Sequence, residues 1–270
     1  MTELEAIASA FDRAADDYDR FTEGVIGGLL RSAVHGRLQA RCRPGDRILE
    51  INCGTGEDAV WLARRGCHVV ATDVSTGMLA VARRKVDAAG AAERVEVRRM
   101  AIEAIDAQLG TFDGLLSNFG GLNCVTSVAA AMPRLAARVR PGGFAVCSIM
   151  GPAVPWEWAW FLAQGRPGDA FRRFRRDGVD WRGIRIRYPS IAETTRAAAP
   201  WFVRRRVAAL GCLLPPSYVE GWAADHRRSV AWLARIEALI GTVRPLPDLS
   251  DHYLLELERT SAPVASGGAA

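Results

Sequence analysis

The chain has 270 residues and a mass of 29.3 kDa; with 49% hydrophobic and 24% charged residues it can bury a core as one large domain, which excludes a wholly disordered chain. Its 35 basic and 30 acidic side chains give a net charge of +5, and 34 of the bases are arginine against a single lysine, Lys85, a skew that points to genome composition before nucleic acid. The start lacks a basic-then-apolar leader, and the longest uncharged run (114–133) is broken by Ser117, Asn118, Asn123, Thr126 and Ser127, so a cytoplasmic protein with no secretory signal and no membrane span is expected.

Phe11, Tyr18, Phe21 and Val25 recur at helical spacing, and Leu30, Val34 and Leu38 continue it, predicting a helical cap over residues 1–44 that ends at Arg43-Pro44-Gly45-Asp46. Residues 47–52 (RILEIN) read as a buried strand, 54–65 as a helix closed by Gly66, and 68–73 as a second strand. Ser75 is the expected N-cap of a helix with Met78, Ala82 and Val86 on one face. A third strand is expected at 95–100 and a fourth at 112–118. A helix kinked at Pro133 then leads to a turn at Arg140-Pro141-Gly142-Gly143 and a fifth strand at 144–149. Strands separated by helices imply a parallel sheet covered on both faces, here over residues 45–150.

Regularity breaks over 151–192, where Trp156, Trp158, Trp160, Phe161, Phe171, Phe174, Trp181 and Tyr188 lie among many arginines; this stretch is expected to be a lid insertion. Residues 193–260 return to the sheet, with a strand at 202–214, a helix around 230–240 and a last strand at 252–259, the two strands forming a terminal antiparallel pair. The small, polar residues 261–270 read as a flexible tail.

The informative segment is Ile48-Leu49-Glu50-Ile51-Asn52-Cys53-Gly54-Thr55-Gly56, followed by Asp73 at the end of the next strand. A glycine-rich turn leaving a strand lets backbone N–H groups approach a ligand, and a carboxylate at the second strand's tip accepts hydrogen bonds from a ribose diol. Alone, Gly54-x-Gly56-x-x-Ala59 also fits a loose dinucleotide fingerprint. Glu50 inside the strand favours a cationic ligand instead. With the Pro141-Gly142-Gly143 segment and the terminal strand pair, the sequence resembles the class I S-adenosylmethionine-dependent methyltransferases, which commonly read E-x-G-x-G-x-G, then an acid, then P-G-G. The resemblance covers residues 45–150 well and 200–260 in outline.

That resemblance implies an α/β fold: a doubly wound, mostly parallel, seven-stranded Rossmann-like sheet with a terminal antiparallel strand. S-adenosyl-L-methionine would be the cofactor. The loop of Asn52, Gly54 and Gly56 would hold its methionine part, with Glu50 supporting the loop and Asp73 on the ribose. Met78, Ala101 and Ile102 would meet the adenine, and Asn118 would lie beside the methyl. Two positions depart from the family pattern: Asn52 replaces a usual glycine, and Met100 stands where an acid often meets the adenine amino group, leaving that contact to backbone or to Glu103.

Methyl transfer from a sulfonium needs positioning and exclusion of water more than covalent help, so the cofactor is easier to read than the acceptor. Tyr18, in a D-D-Y-D context, His35 and Asn123 are the candidate catalytic residues; each also has a plain structural reading, as a packing residue, a satisfied surface histidine and a turn asparagine. Trp156-Glu157-Trp158 would suit an amine or planar acceptor, unless the aromatic residues form the lid's own core. His226 and His252 are read as structural. The expected activity is methylation of a small molecule of secondary metabolism, by a monomer or homodimer. The alternatives are cyclisation chemistry with the same cofactor, a protein or nucleic-acid methyltransferase, or a non-catalytic binding protein. Asn118-Phe119-Gly120-Gly121 shares only its asparagine with the N-P-P-Y of exocyclic-amine methyltransferases, so no nucleic acid is expected.

The six cysteines (42, 53, 67, 124, 147 and 212) form no C-x-x-C and no zinc-like spacing, so they are read as reduced thiols and no metal is expected. Twelve arginines against five acids between Gly151 and Arg206 give that stretch +7 and leave the rest at −2. Either this is a solvated face, or it steers an anionic acceptor to the lid.

Overall fold

The computed structural model describes residues 2–22 and 24–261, apart from the side chains of Phe21, Thr22 and Ser217. The expected tail therefore lies, from residue 262 on, outside the described residues. In chain order the elements are α1 (Glu3–Asp12), α2 (Tyr18–Thr22), α3 (Val25–Gln39), β1 (Arg47–Ile51), α4 (Glu57–Ala63), β2 (His68–Asp73), α5 (Thr76–Ala88), β3 (Val95–Arg99), β4 (Phe112–Ser117), α6 (Val128–Ala136) and β5 (Val139–Met150). There follow α7 (Pro155–Ala163), α8 (Pro167–Ala170), β6 (Val179–Trp181), β7 (Ile184–Ile186), α9 (Ile191–Ala198), β8 (Phe202–Leu210), α10 (Glu220–Asp225), α11 (Arg227–Ile240) and β9 (His252–Arg259).

Seven strands form one sheet in the order β3-β2-β1-β4-β5-β9-β8, parallel through β5 and with β9 antiparallel to both of its neighbours. The two-residue period of a strand sends neighbouring side chains to opposite faces, and both faces are buried here. Ile48, Leu116 and Val146 join Val34, Leu38, Leu62, Leu79 and Val230 in one core, while Leu49, Leu115 and Ala145 join Met132, Leu135, Tyr253 and Leu255 in the other. This is the α/β, doubly wound, Rossmann-like arrangement the sequence implies. The 151–192 insertion folds as α7, α8 and the β6–β7 hairpin.

Three local expectations are corrected. The helical period through Phe11, Tyr18 and Val25 is not one helix but α1, α2 and the start of α3. Asp12 explains the first break: its carboxylate accepts hydrogen bonds from the Ser75 hydroxyl (2.6 Å) and the Gly77 amide (2.7 Å), tying the end of α1 to the first turn of α5. Donors freed at a helix start favour a carboxylate there, and this one comes from another element. The Pro141-Gly142-Gly143 segment is not a separate turn but the bulged opening of β5, whose pairing with β4 slips between Phe112↔Val139 and Gly114↔Phe144, with Gly142 at φ +76°. The strand expected at 202–214 stops at Leu210, where Gly211 takes a left-handed φ of +83°.

Candidate active site

The loop leaving β1 is built on left-handed residues: Asn52 at φ 55°, Gly54 at 53° and Gly56 at 76°. Asparagine is one of the few side chains that accept this conformation, so Asn52 keeps the backbone path that glycine usually supplies. Its side chain in turn demands Gly121, where a Cβ would come within 2.5 Å of the Asn52 Cβ. Gly56 answers to packing, since a Cβ there would meet the Ala82 Cβ of α5 at 2.8 Å. A Cβ at Gly54 would meet only the Tyr18 ring, at 3.8 Å, so its backbone is free to approach a ligand.

Asp73 closes β2 with one oxygen accepting from the Gly54 amide (3.0 Å) and the other from the Ser75 amide (2.9 Å). Burial pushes its carboxyl up, against these backbone donors. Glu50, fully inside the sheet, is pushed well above the usual carboxyl range by burial and by Asp58. One Glu50 oxygen and the Asn52 amide oxygen are buried with no hydrogen-bond partner. Unsatisfied acceptors beside a glycine loop suit a ligand that brings N–H donors or positive charge. Asp73, with spare lone pairs, suits its hydroxyls.

One cavity of about 480 Å³ joins this loop to the lid. Tyr18, Asn52, Gly54, Asp73, Val74, Met78 and Asn118 line it together with Arg172, Trp181, Tyr188 and His252. Ile7 and Phe11 of α1, Ile26 and Leu30 of α3 and the β6–β7 hairpin complete its walls. Phe11 bridges the cap and the lid, 6.4 Å from the Tyr18 ring and 5.5 Å from Trp181. Glu220 of α10 fastens α3 over the cavity by accepting the Val25 and Ile26 amides, which is why Gly24, where a Cβ would overlap that carboxylate, starts the helix.

The expected site residues divide. Tyr18, Asn52, Gly54, Asp73, Met78 and Asn118 share the cavity, with Glu50 and Gly56 supporting the loop from behind. Burial, with Asp73 nearby, pushes the Tyr18 hydroxyl up to about 12, so it stays a phenol and not a base. Asn118 donates to Asp58 (2.9 Å) and accepts from the Phe119 amide (3.0 Å), which commits its side chain to holding the loop. Ala101 and Ile102 do not line the cavity: Ile102 is buried in the core with Leu49, whereas Val74 and Met78 line it.

His35 and Asn123 also lie off the cavity. His35 donates from Nε2 to Asp58 (2.6 Å) and stacks on Trp61 at 4.0 Å, because Asp58 on α4 already gathers Arg31 (2.8 Å) and Asn118. Asn123 is a brace: its amide bonds both backbone groups of Met150 (2.9 and 3.0 Å) and the Arg187 carbonyl (2.6 Å). The Trp156-Glu157-Trp158 wall is not one either. Glu157 is buried and held by Arg172 (2.9 Å) and Arg173 (2.7 Å), while Trp158 packs on Phe171 and Phe174, the lid's own aromatic cluster. Of the twelve arginines between Gly151 and Arg206 only Arg172 borders the cavity.

Arg172, Tyr188 and His252 also line the cavity, a placement that motif spacing does not reveal. Among the described residues no group of His, Cys, Asp and Glu is placed to hold a metal, and no helix is long and apolar enough to cross a membrane.

A methyltransferase-domain family model matches residues 48–143. The chain is 30% identical over 146 residues to a demethylmenaquinone methyltransferase of Symbiobacterium thermophilum, covering 52% of this chain and 57% of that one. It is 35% identical over 153 residues to a protein of the same name from Mycobacterium marinum, covering 54% and 60%. The match thus spans less than two thirds of these relatives' length. A solved S-adenosylmethionine-dependent methyltransferase from Listeria monocytogenes, described as putative, shares the fold at a TM-score of 0.59 and 16% identity, covering 86% of this chain and 99% of that one. The matched span carries the glycine loop, Asp73, Asn118 and the bulged Pro141-Gly142-Gly143 segment; residues 48–143 thus match a methyltransferase domain, and the fold is that of solved S-adenosylmethionine-dependent methyltransferases.

Proposed function

We propose that the protein transfers a methyl group from S-adenosylmethionine to a small-molecule acceptor, of secondary metabolism, by in-line displacement. The observation that carries this reading is the single cavity of about 480 Å³ running from Asp73 and the Asn52–Gly54 loop to the lid. When bound, the cofactor supplies an activated methyl on a positively charged sulfur. The residues of the chain then bind and orient. Asp73 would accept hydrogen bonds from the ribose hydroxyls, Gly54 would let the backbone approach, and the free Asn52 oxygen would take an N–H donor of the cationic part, with Glu50 bracing the loop behind it. Val74 and Met78 give an apolar bed for the base. The α1–α3 cap and the lid hairpin keep water from the reacting centre, which, with positioning, is the principal catalytic need of such a transfer.

The lining is mainly apolar and aromatic, with Phe119, Trp181, Tyr188, Met150 and Ile186 around the acceptor end. This favours a flat, apolar acceptor, in keeping with the demethylmenaquinone in the names of the relatives. With only Arg172 of the twelve arginines between Gly151 and Arg206 at the cavity, steering of an anionic acceptor narrows to that one residue. A methyl-labelled cofactor incubated with the protein and candidate quinols tests the reading. Label recovered in an acceptor by mass spectrometry supports it; cofactor consumed with no labelled acceptor overturns methyl transfer.

A further inference from the structure

The cavity is also lined by a histidine–aspartate pair, His252 and Asp251, that the cofactor reading leaves unused. Because β9 runs antiparallel, its first residue enters the sheet at the edge where the parallel strands finish, and His252 pairs with Met150, the last residue of β5. The His252 Nδ1 lies 3.0 Å from one Asp251 oxygen. The other Asp251 oxygen accepts from Arg173 (2.6 Å), which also donates to the Asp251 carbonyl (3.1 Å) and the Gly151 carbonyl (3.2 Å). Glu157 holds the remaining side of that guanidinium at 2.7 and 3.1 Å. Burial works to raise the Asp251 carboxyl, but Arg173 and His252 hold it well below the usual carboxylate range.

An ionised carboxylate only accepts, so the neutral imidazole carries its proton on Nδ1 and leaves the Nε2 lone pair open. Nε2 has no hydrogen-bond partner among the described residues and is not one of the buried unpartnered atoms, and His252 borders the cavity. The groups facing it are few. On its own strand stands Asp251, backed by Arg173. The Phe119 ring meets it edge-on at 5.8 Å, with Phe119 held at φ 48°, a conformation unusual for an aromatic residue. Met150 of β5 and Leu210 of β8 are its uncharged strand partners. Arg172, whose Nε is buried without a partner, and Tyr188 line the same cavity.

We propose that His252 is the catalytic base of this site, and that the acceptor is therefore a hydroxyl compound, a phenol or enol on an apolar frame. The proposal rests on the methyl-transfer reading. A neutral amine attacks through its own lone pair, and a carboxylate is already ionised near neutral pH. A phenol, ordinarily ionising near pH 10, gains most from an oriented base. The acceptor O–H proton passes to His252 Nε2. The oxygen forms its bond to the methyl carbon as the carbon–sulfur bond breaks, with that electron pair leaving on sulfur. Asp251 stabilises the imidazolium until it returns the proton to water. Arg173 is a positioning residue that keeps Asp251 ionised and aimed.

Two measurements on the full chain loaded with S-adenosylhomocysteine test this. Long-range ¹H–¹⁵N spectra of the imidazoles are expected to show His252 as the Nδ1–H tautomer, with Asp251→Asn changing that signature; an Nε2–H tautomer in the unaltered protein overturns the proposal. The second uses 4-nitrophenol, whose absorbance separates phenol from phenolate. Bound to the unaltered protein, its apparent ionisation constant should rise at least tenfold above that with His252→Gln, while S-adenosylhomocysteine affinity stays within twofold. No binding of the probe, or equal ionisation in both proteins, overturns the base. Loss of S-adenosylhomocysteine binding in the unaltered protein overturns the methyl-transfer reading instead.

Discussion

Replacing Arg173 with methionine gives the sharpest stability test, because the residue sits 7% exposed between two carboxylates, with Nη2 2.7 Å from Glu157 and 2.6 Å from Asp251. The substitution keeps the aliphatic volume but leaves both carboxylates without their shared cation. Removing one partner of a buried ion pair costs about 3–5 kcal/mol. Arg172 still reaches Glu157 (2.9 Å) and His252 still reaches Asp251 (3.0 Å), which places the loss at the lower end, about 3 kcal/mol. At about 2–4 °C per kcal/mol for chains of this size, the melting temperature should fall by roughly 6–12 °C at pH 7. The sign of the pH dependence follows from Asp251. Its folded-state carboxyl is held below the unfolded value, so its contribution is present above that unfolded value and lost as pH falls. The gap between Arg173→Met and the parent should therefore narrow in acid. Adding Glu157→Gln should recover part of the loss by discharging one orphaned carboxylate. Thermal and urea melts from pH 3 to 7 make the measurement. A loss under about 1 kcal/mol at pH 7, well short of the buried-pair range, would refute the reasoning.

Asn52→Gly should leave stability nearly unchanged, whereas Asn52→Val, a β-branched residue forced to positive φ, should cost about 1–3 kcal/mol in a urea melt; equal melts would remove the left-handed constraint. Gly121→Ala should destabilise, since its Cβ falls 2.5 Å from the Asn52 Cβ, and Asn52→Gly in the same chain should restore it; additive losses in the double variant would show that the two do not touch. Burial alone would raise the Asp58 carboxyl, but His35, Arg31 and Asn118 bring it down to about 2. That depression contributes on the order of 2 kcal/mol above pH 4, lost as pH falls toward 2. Asp58→Asn should flatten this acid limb in pH-dependent melts, and an unaltered limb would assign it elsewhere.

The sheet was legible because a buried parallel strand writes a short apolar run, and the glycine loop and Asp73 were legible because chemistry and backbone both restrict those positions. Where a tertiary partner intervenes, local pattern misleads. Asp12 ends α1 by capping α5, a contact 63 residues away in sequence from Ser75. His35 looks like a free base until Asp58 and Trp61 take it, and Asn123 looks like a turn residue until the Met150 backbone claims both ends of its amide. His252 was open to inference. An antiparallel last strand must begin at the edge where the parallel strands end, so an Asp-His pair at its start falls at that edge. The lid resists such reading, since its arginines split between a buried network around Glu157 and exposed positions with no periodic mark.

Binding of S-adenosylmethionine in this cavity through the β1 loop and Asp73 can be measured by calorimetry with S-adenosylhomocysteine. Saturable binding at micromolar concentration is predicted, weakened more than tenfold, or about 1.4 kcal/mol and above, by Asp73→Ala in a protein that melts as the parent does. No heat of binding at high micromolar concentration, or an affinity unmoved by Asp73→Ala, would contradict it.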